Sequence, residues 1–467
     1  MRFEFRTFGA FYMVAFVIDA TEEWDHPLLA AISVVAVALI YLRGVRRWDF
    51  FAFLIASSAY ILAVHFPDPG NHNNLYLLVN VFLIAAILWA SLHPQEVPND
   101  AELLERVKPT LRLTMSLVYI FAGFAKLNSG FFVDDVGCAA TFFDGLRSQL
   151  PIPAFTPSGP LLIVFGSAII FWELGGGVML WFRKTQPIML VLALAGHTAL
   201  SFLVFVDFSS VAFAMLLTFI PLAYWRIIEG DPAQISWGGL RLDRPSAYVL
   251  INLALAVAAG VLILFTGVTN RVHQLQGLGL ISATAVFIWP ILAHRIRARP
   301  PVPWTGVPIW RPWRSPRWAV ALPVFIVFFG LNPYLGLRTA GTFTMFSNLQ
   351  ITGDSSNHFL MGDMPLKIWN LSGDLVHVRK IDPRNAKQEK DDLNGNSIPV
   401  LEFQKRIVDW GDHGLDNLYA TYVYDGHVYK TKDIVEDNAW DIHGYRFVHY
   451  LVDFRLVQEK GPVECRW

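Results

Sequence analysis

The chain has 467 residues, 54% of them hydrophobic and 16% charged, with a formal net charge of −1. Soluble domains carry about 25% charged residues, so the composition argues against a soluble globular protein, a disordered chain and a nucleic-acid binder. The near-zero balance points to neither an acidic nor a basic partner. Charge is also uneven: residues 338–467 hold 34 of the 75 charged residues, 26% of that stretch, against 12% in residues 1–337. That shift predicts a transmembrane helical domain over 1–337 and a water-soluble domain over 338–467.

In chain order, apolar runs long enough to suggest membrane crossing lie near 8–20, 27–42, 49–66, 74–92, 111–128, 160–182, 187–206, 209–225, 247–268, 276–293 and 318–337. The reading is a polytopic α-helical membrane protein with nine to eleven transmembrane helices. The basic start, Met1 to Arg6, precedes the first run without a cleavage site and is read as uncleaved. Lysine and arginine mark the cytoplasmic side. Arg43, Arg46 and Arg47, Arg106 and Lys108, Arg183 and Lys184, Arg226, Arg241 and Arg244, and six arginines over 294–317 give sixteen in one set of loops. The alternate loops hold only Arg147 and Arg271. The multi-pass chain therefore has its C-terminal domain outside the cytoplasm.

That domain reads as β-rich and sandwich-like. Asp425-Gly426 between Tyr419–Tyr424 and His427–Thr431 is a strong hairpin signal. Ser372-Gly373 between 366–370 and 375–378 suggests a second hairpin, 447–456 alternates like a strand, and 382–396 is a polar loop. Cys138 and Cys465 are the only cysteines; both fall on the oxidising side, where a disulfide and two solitary thiols remain open alternatives. No internal repeat, P-loop, dinucleotide turn, HExxH or GxSxG motif occurs, and no metal is predicted.

Ionisable residues within apolar runs are candidate sites because they are costly there. Tyr119, Ala122, Gly123 and Lys126 recur at i, i+3, i+4 and i+7 and share one helix face, whose small residues admit a neighbouring helix or a flat ligand. Desolvation of that face would penalise the ammonium and make Lys126 a usable general base; near a helix end, it could instead snorkel to the headgroups. Glu173, ahead of Gly175 to Gly177, and His197 lie mid-span and could pair structurally or line a ligand cavity. His72 and Asn71 precede the span at 74, at the depth of Lys126. Two acid/base groups at one membrane face suit a lipid-soluble reductant arriving from the bilayer.

The Tyr-x-x-x-Gly-x-x-Lys-Leu run at 119–127, Asn71-His72 before Leu75-Tyr76, Glu173 before the glycines, His197 in the next span, and Thr342 to Leu349 followed by Asn357-His358 together resemble the horizontally transferred transmembrane (HTTM) domain family. The resemblance covers most of residues 60–360 and is to bacterial-type homologues of the vitamin K-dependent γ-glutamyl carboxylase. It implies a cell (inner) membrane enzyme in which Lys126 deprotonates reduced vitamin K or menaquinol for reaction with O2 and His72 assists proton transfer or carboxylation. Tyr119, Gly123, Glu173, His197 and Asn71 would form the quinone cavity. Quinone epoxidation would then be coupled to proton abstraction and CO2 addition at glutamyl residues of a peptide or protein. Two departures stand out: Ala125 replaces the first of two lysines in the animal enzyme, and the outer domain is short. A quinol epoxidase without protein carboxylation, and a non-enzymatic transporter or immunity-type protein, are the alternatives.

Overall fold

The computed structural model describes every residue except 1–2, 21–26, 67–68, 133–135, 149–156, 202–205, 222–223, 226–234, 238–239, 243, 267–276, 280–305, 310–315, 353–355, 362–370, 384–392, 413, 416, 438–451, 460–464 and 466–467. Apolar composition reads alike in a membrane-crossing helix and in a helix enclosed by protein, and the structure separates the two. Helix α1 (Phe3–Ala20) is enclosed: from Phe11 to Ile18 no side chain is more than 3% exposed. It packs against α2 (Pro27–Arg43), α10 (Val206–Leu216) and α11 (Arg244–Thr266). A helix apolar all round belongs in such a central position.

Helices α3 (Arg47–Val64) and α4 (Asn71–Leu92) pack together beside it. Helix α5 (Asp100–Ala125) starts where the Asn99 side chain accepts the Glu102 N–H at 3.1 Å, with Asp100 and Glu102 suited to the positive end of the helix dipole. Helix α6 (Cys138–Ser148) follows. The apolar stretch Gly159–Met179 then divides into α7 (Gly159–Ile170), a π turn (Phe171–Gly175) and α8 (Gly176–Met179). Helix α9 (Gln186–Ser201) precedes α10, and α12 (Ala321–Leu335) closes the helical part.

The expected nine to eleven spans are not supported among the described residues. Among the described residues, four helical stretches are long and apolar enough to cross a membrane: Arg47–Val64, Asn71–Leu92, Gly159–Met179 and Arg317–Leu335. Helix α1 carries Glu4, Arg6 and Asp19, and the first turns of α5 carry Glu102, Glu105, Arg106 and Lys108. Leu28–Arg43, Gln186–Ser201 and Asp207–Phe219 are shorter apolar helical stretches among the described residues, and Ser246–Leu262 is the apolar part of the 23-residue α11. The run at 276–293 lies outside the described residues apart from 277–279. Large apolar side chains face outward on α2 (Ile32, Val35, Leu39), α7 (Ile163, Val164) and α12 (Val324, Phe325, Phe328), as contact with lipid requires.

Polar groups between α1, α3 and α4 satisfy one another. The Tyr12 hydroxyl donates to Asn80 Oδ1 at 2.8 Å, and Asn80 Nδ2 donates to the hydroxyls of Ser57 at 3.0 Å and Ser58 at 3.1 Å. Asn80 is wholly buried, so Asn80→Ala strands the Tyr12 hydroxyl. The expected loss is about 1–3 kcal/mol, read as a lower denaturation midpoint of the purified protein in detergent.

The C-terminal part carries one antiparallel sheet in the order β4-β3-β5-β6, counting after the small hairpin β1 (Ile235–Trp237) and β2 (Leu240–Leu242). Its strands are β3 (Leu375–Pro383), β4 (Asn396–Pro399), β5 (Leu418–Tyr424) and β6 (His427–Thr431). The hairpin read at Asp425-Gly426 is present, with both residues at positive φ, 47° and 73°, the backbone of a two-residue turn that matches strand twist. Where the sequence suggests a sandwich, the described residues carry this single sheet with the amphipathic helix α13 (Val400–Asp412) against it. Phe403, Ile407 and Trp410 of the helix pack on Val376, Val378 and Tyr422. Of the second expected hairpin, 366–370 lies outside the described residues, as does 447–451 of the strand read at 447–456.

Residues 338–344, which follow α12, are tied to residues 453–455. Arg338 Nη2 meets Asp453 Oδ2 at 2.8 Å, the Thr339 and Ala340 N–H groups donate to the Asp453 carbonyl at 2.9 Å, and Arg455 Nη2 donates to the Thr344 carbonyl at 3.0 Å. Cys465 is disulfide-bonded to Cys138 at the start of α6, which closes the alternative of two free thiols.

Candidate active site

The candidate site is built where α5 ends. Lys126 caps the helix, and its side chain is 1% exposed and turned inward rather than toward headgroups. Nζ lies 2.8 Å from Glu173 Oε2 and donates to Glu173 Oε1 at 3.1 Å, the Met345 carbonyl at 3.1 Å and the Ala122 carbonyl at 3.4 Å. Glu173 is presented by the π turn, a local widening of the helix that is frequent at functional sites.

Glycines make this pairing reachable. A Cβ at Gly123 would sit 2.4 Å from the Leu174 backbone nitrogen, and one at Gly177 would sit 2.9 Å from the Ser116 carbonyl. The α5 backbone and the 171–179 segment therefore touch directly, bringing Glu173 over Lys126. Gly123, expected in the cavity wall, serves this helix contact instead.

The other candidates converge on the same space, a cavity of about 410 Å³ lined by Lys126, Glu173, Tyr119, His197, His72 and Asn71. Phe142, Trp172, Phe208 and Phe346 give it flat apolar walls. Glu173 and His197 do not pair with each other, which corrects one structural expectation: Glu173 is committed to Lys126, and His197 Nε2 is 2.6 Å from the Tyr119 hydroxyl, with Nδ1 3.3 Å from Ser209 Oγ. His72 is not in a loop ahead of the helix but in the first turn of α4. Its ring is held on both sides, Nε2 at 3.0 Å from Asp19 Oδ1 and Nδ1 at 2.7 Å from Asp207 Oδ2.

Sequence reasoning missed Asp19, Asp207, Ser209 and Trp172 as members of this neighbourhood. The signal available was that Asp19 and Asp207 are acids at the edges of apolar runs, which the cost of burying charge makes informative. Segment 342–348 closes the cavity with Met345 and Phe346; Phe346 and Asn348 hold positive φ of 50° each. The turn is tied down by Asn348 Oδ1, which accepts the Cys138 N–H at 2.7 Å, and by Asn128, whose side-chain amide donates to the Ser347 carbonyl.

His358 locks the end of α5. Its Nδ1 accepts the Leu360 N–H at 3.1 Å, which leaves Nε2 to donate to the Phe124 carbonyl at 2.9 Å. Burial, outweighing the bond to Phe124, holds its pKa below the ordinary 6.5. The folded state then binds fewer protons than the unfolded state as pH falls below 6.5, so this contribution is present at neutral pH and lost on acidification. The denaturation midpoint is expected to drop between pH 7.5 and pH 5.5, and to drop less in His358→Gln.

Among the described residues no group of three or more His, Cys, Asp and Glu side chains has the geometry of a metal site. No family model matches the chain, and no curated protein or solved structure matches it either.

Proposed function

We propose that the chain is a multi-pass membrane enzyme that activates a reduced quinone for reaction with O2, similar to the vitamin K-dependent γ-carboxylases of the HTTM family. The observation that carries this reading is the buried Lys126–Glu173 pair, 2.8 Å apart, in a largely apolar cavity. A lysine base must release its ammonium proton, and an apolar cavity penalises any lone charge. The pair meets that requirement, because ammonium with carboxylate and amine with carboxylic acid have the same net charge. A proton moves from Nζ to Glu173, and the neutral amine then takes the proton of a quinol hydroxyl, leaving an oxyanion beside the new ammonium.

A volume of about 410 Å³ is within the range of small-molecule sites, and the aromatic walls suit a flat ring. In the full reaction, quinol, O2, CO2 and a glutamyl C–H yield quinone epoxide, γ-carboxyglutamyl and water. The oxygenated quinol supplies the base that removes the γ-proton, and CO2 forms the new C–C bond. The second reading is quinol epoxidation without carboxylation, because the Lys126–Glu173 pair and its cavity bear on the quinol step alone. The Cys138–Cys465 disulfide, a bond that persists on the oxidising side, supports a C-terminal domain outside the cytoplasm of the cell (inner) membrane.

The test is purified protein in lipid vesicles, given reduced vitamin K or menaquinol with O2, labelled CO2 and a glutamyl peptide. Quinone epoxide from the parent and none from Lys126→Ala is expected, and labelled peptide separates the two readings. Folded parent that forms no epoxide from either quinol overturns both.

A further inference from the structure

His72 is the second acid/base candidate of the cavity, yet both of its ring nitrogens are already engaged, Nε2 with Asp19 and Nδ1 with Asp207. An imidazole held in this way has no nitrogen left to exchange a proton with a ligand. The two carboxylates differ in where they stand. The Asp19 side chain is 3% exposed and lies behind the ring, whereas Asp207, 17% exposed, lines the cavity with His72. An oxygen of Asp207 that accepts from His72 keeps a second lone pair. The arrangement has the order of a buried orienting acid, an imidazole and an outward reactive group.

We infer that Asp207 is the catalytic acid/base group that meets the ligand, with His72 and Asp19 as positioning residues. This inference rests on the proposed quinol chemistry and deepens it. On a quinol hydroxyl remote from Lys126, the O–H bond breaks, the proton goes to an Asp207 oxygen, and the oxygen of the ligand keeps the electron pair. The cavity gains no net charge, because carboxylate plus hydroxyl becomes carboxylic acid plus oxyanion. The reverse transfer returns the proton when an oxyanion forms at the same position later in the cycle. His72, donating through Nδ1, sets how strongly Asp207 holds that proton. Among the described residues, the other titratable groups facing the triad and the cavity are Tyr76 of α4, within electrostatic reach of both carboxylates, and Lys126, Glu173, Tyr119 and His197 across the cavity.

The test compares Asp207→Asn, Asp207→Glu and Asp19→Asn with the parent in vesicles, reading kcat for menaquinol-dependent epoxide formation against pH. Asp207→Asn is expected to lower kcat by about 100-fold or more, general acid–base groups contributing about 10²–10⁴-fold, and to remove one limb of the pH profile. Asp207→Glu restores most of the rate and the limb; Asp19→Asn loses about tenfold and keeps the limb, displaced along the pH axis. A parent-like rate and profile in Asp207→Asn, or equal loss with the same flattened profile in Asp19→Asn, overturns the division of roles. A second measurement needs binding but no turnover and covers a parent that proves inactive. Infrared difference spectra on adding menadiol should perturb a carboxyl band in the parent and in Asp19→Asn that is missing from Asp207→Asn. The same band in folded Asp207→Asn, or no menadiol-induced carboxyl change in the parent, overturns the inference even where epoxide formation has been established.

Discussion

Replacing Lys126 with methionine is expected to abolish quinol epoxidation, with at least a thousandfold loss of rate, while methionine preserves the volume of the side chain. The size of the effect follows from the number of tasks that meet at Nζ. The amine is the base in the proposed reaction, the counter-charge to Glu173, and the donor to the Met345 carbonyl that holds the cavity roof. General-base removal alone accounts for about 10²–10⁴-fold. The same variant strands a carboxylate in an apolar cavity, which costs about 3–5 kcal/mol for a buried pair broken on one side. Stability and activity can be separated by the double variant Lys126→Met with Glu173→Leu. Replacing both partners of a buried pair with apolar side chains is commonly neutral or stabilising, so the double variant should regain the parent's denaturation midpoint and remain inactive. A double variant that regains epoxide formation removes Lys126 from the chemistry. One that stays as unstable as the single variant means that the pair does not set the stability of this region.

The second large effect concerns the strap at the C-terminus. Cys138 and Cys465 are 327 residues apart, and their bond joins the end of the chain to the first turn of α6. The Cys465 N–H also donates to the Val136 carbonyl at 2.8 Å. Arg455 also donates to the Thr344 carbonyl and Asp453 pairs with Arg338, so residues 453–455 brace the approach to the turn that carries Met345 and Phe346. Closing so long a loop restricts the unfolded chain strongly, and loss of the bond by Cys138→Ser with Cys465→Ser is expected to cost about 2–4 kcal/mol. Differential scanning fluorimetry with and without reductant measures it: the parent midpoint should fall on reduction, and the double serine variant should not respond. Equal midpoints for parent and variant would mean that the backbone and ion-pair contacts hold the strap without the disulfide. Because Phe142 of α6 and Phe346 of the turn are packed together, their rings 5.5 Å apart on the cavity wall, hydrogen exchange over 341–349 should rise in the same variant.

What the sequence determined about this protein is what chemistry and local backbone preference can specify. Low charge over 1–337 and ordinary charge over 338–467 marked a helical, membrane-associated part and a separate sheet-forming part. Asp425-Gly426 specified its hairpin, because the turn depends on two residues that tolerate positive φ. Lys126, Glu173 and His197 stood out because ionisable groups are costly in apolar surroundings, and His72 because it lies at the depth of Lys126 just ahead of a span; the structure brings all four to one cavity. Tertiary structure alone decided the rest, because partnership between distant residues leaves no local mark. Glu173 pairs with Lys126 rather than His197 because Gly123 and Gly177 let two backbones touch. Asp19 and Asp207, 188 positions apart, come together only because α1 and α10 both pack beside the start of α4, placing a carboxylate on each side of His72. Among the described residues four helical stretches are long and apolar enough to cross a membrane where hydropathy suggests nine to eleven; a helix enclosed by protein, as α1 is, has the same apolar composition, because burial in protein and burial in lipid remove the same surface from water.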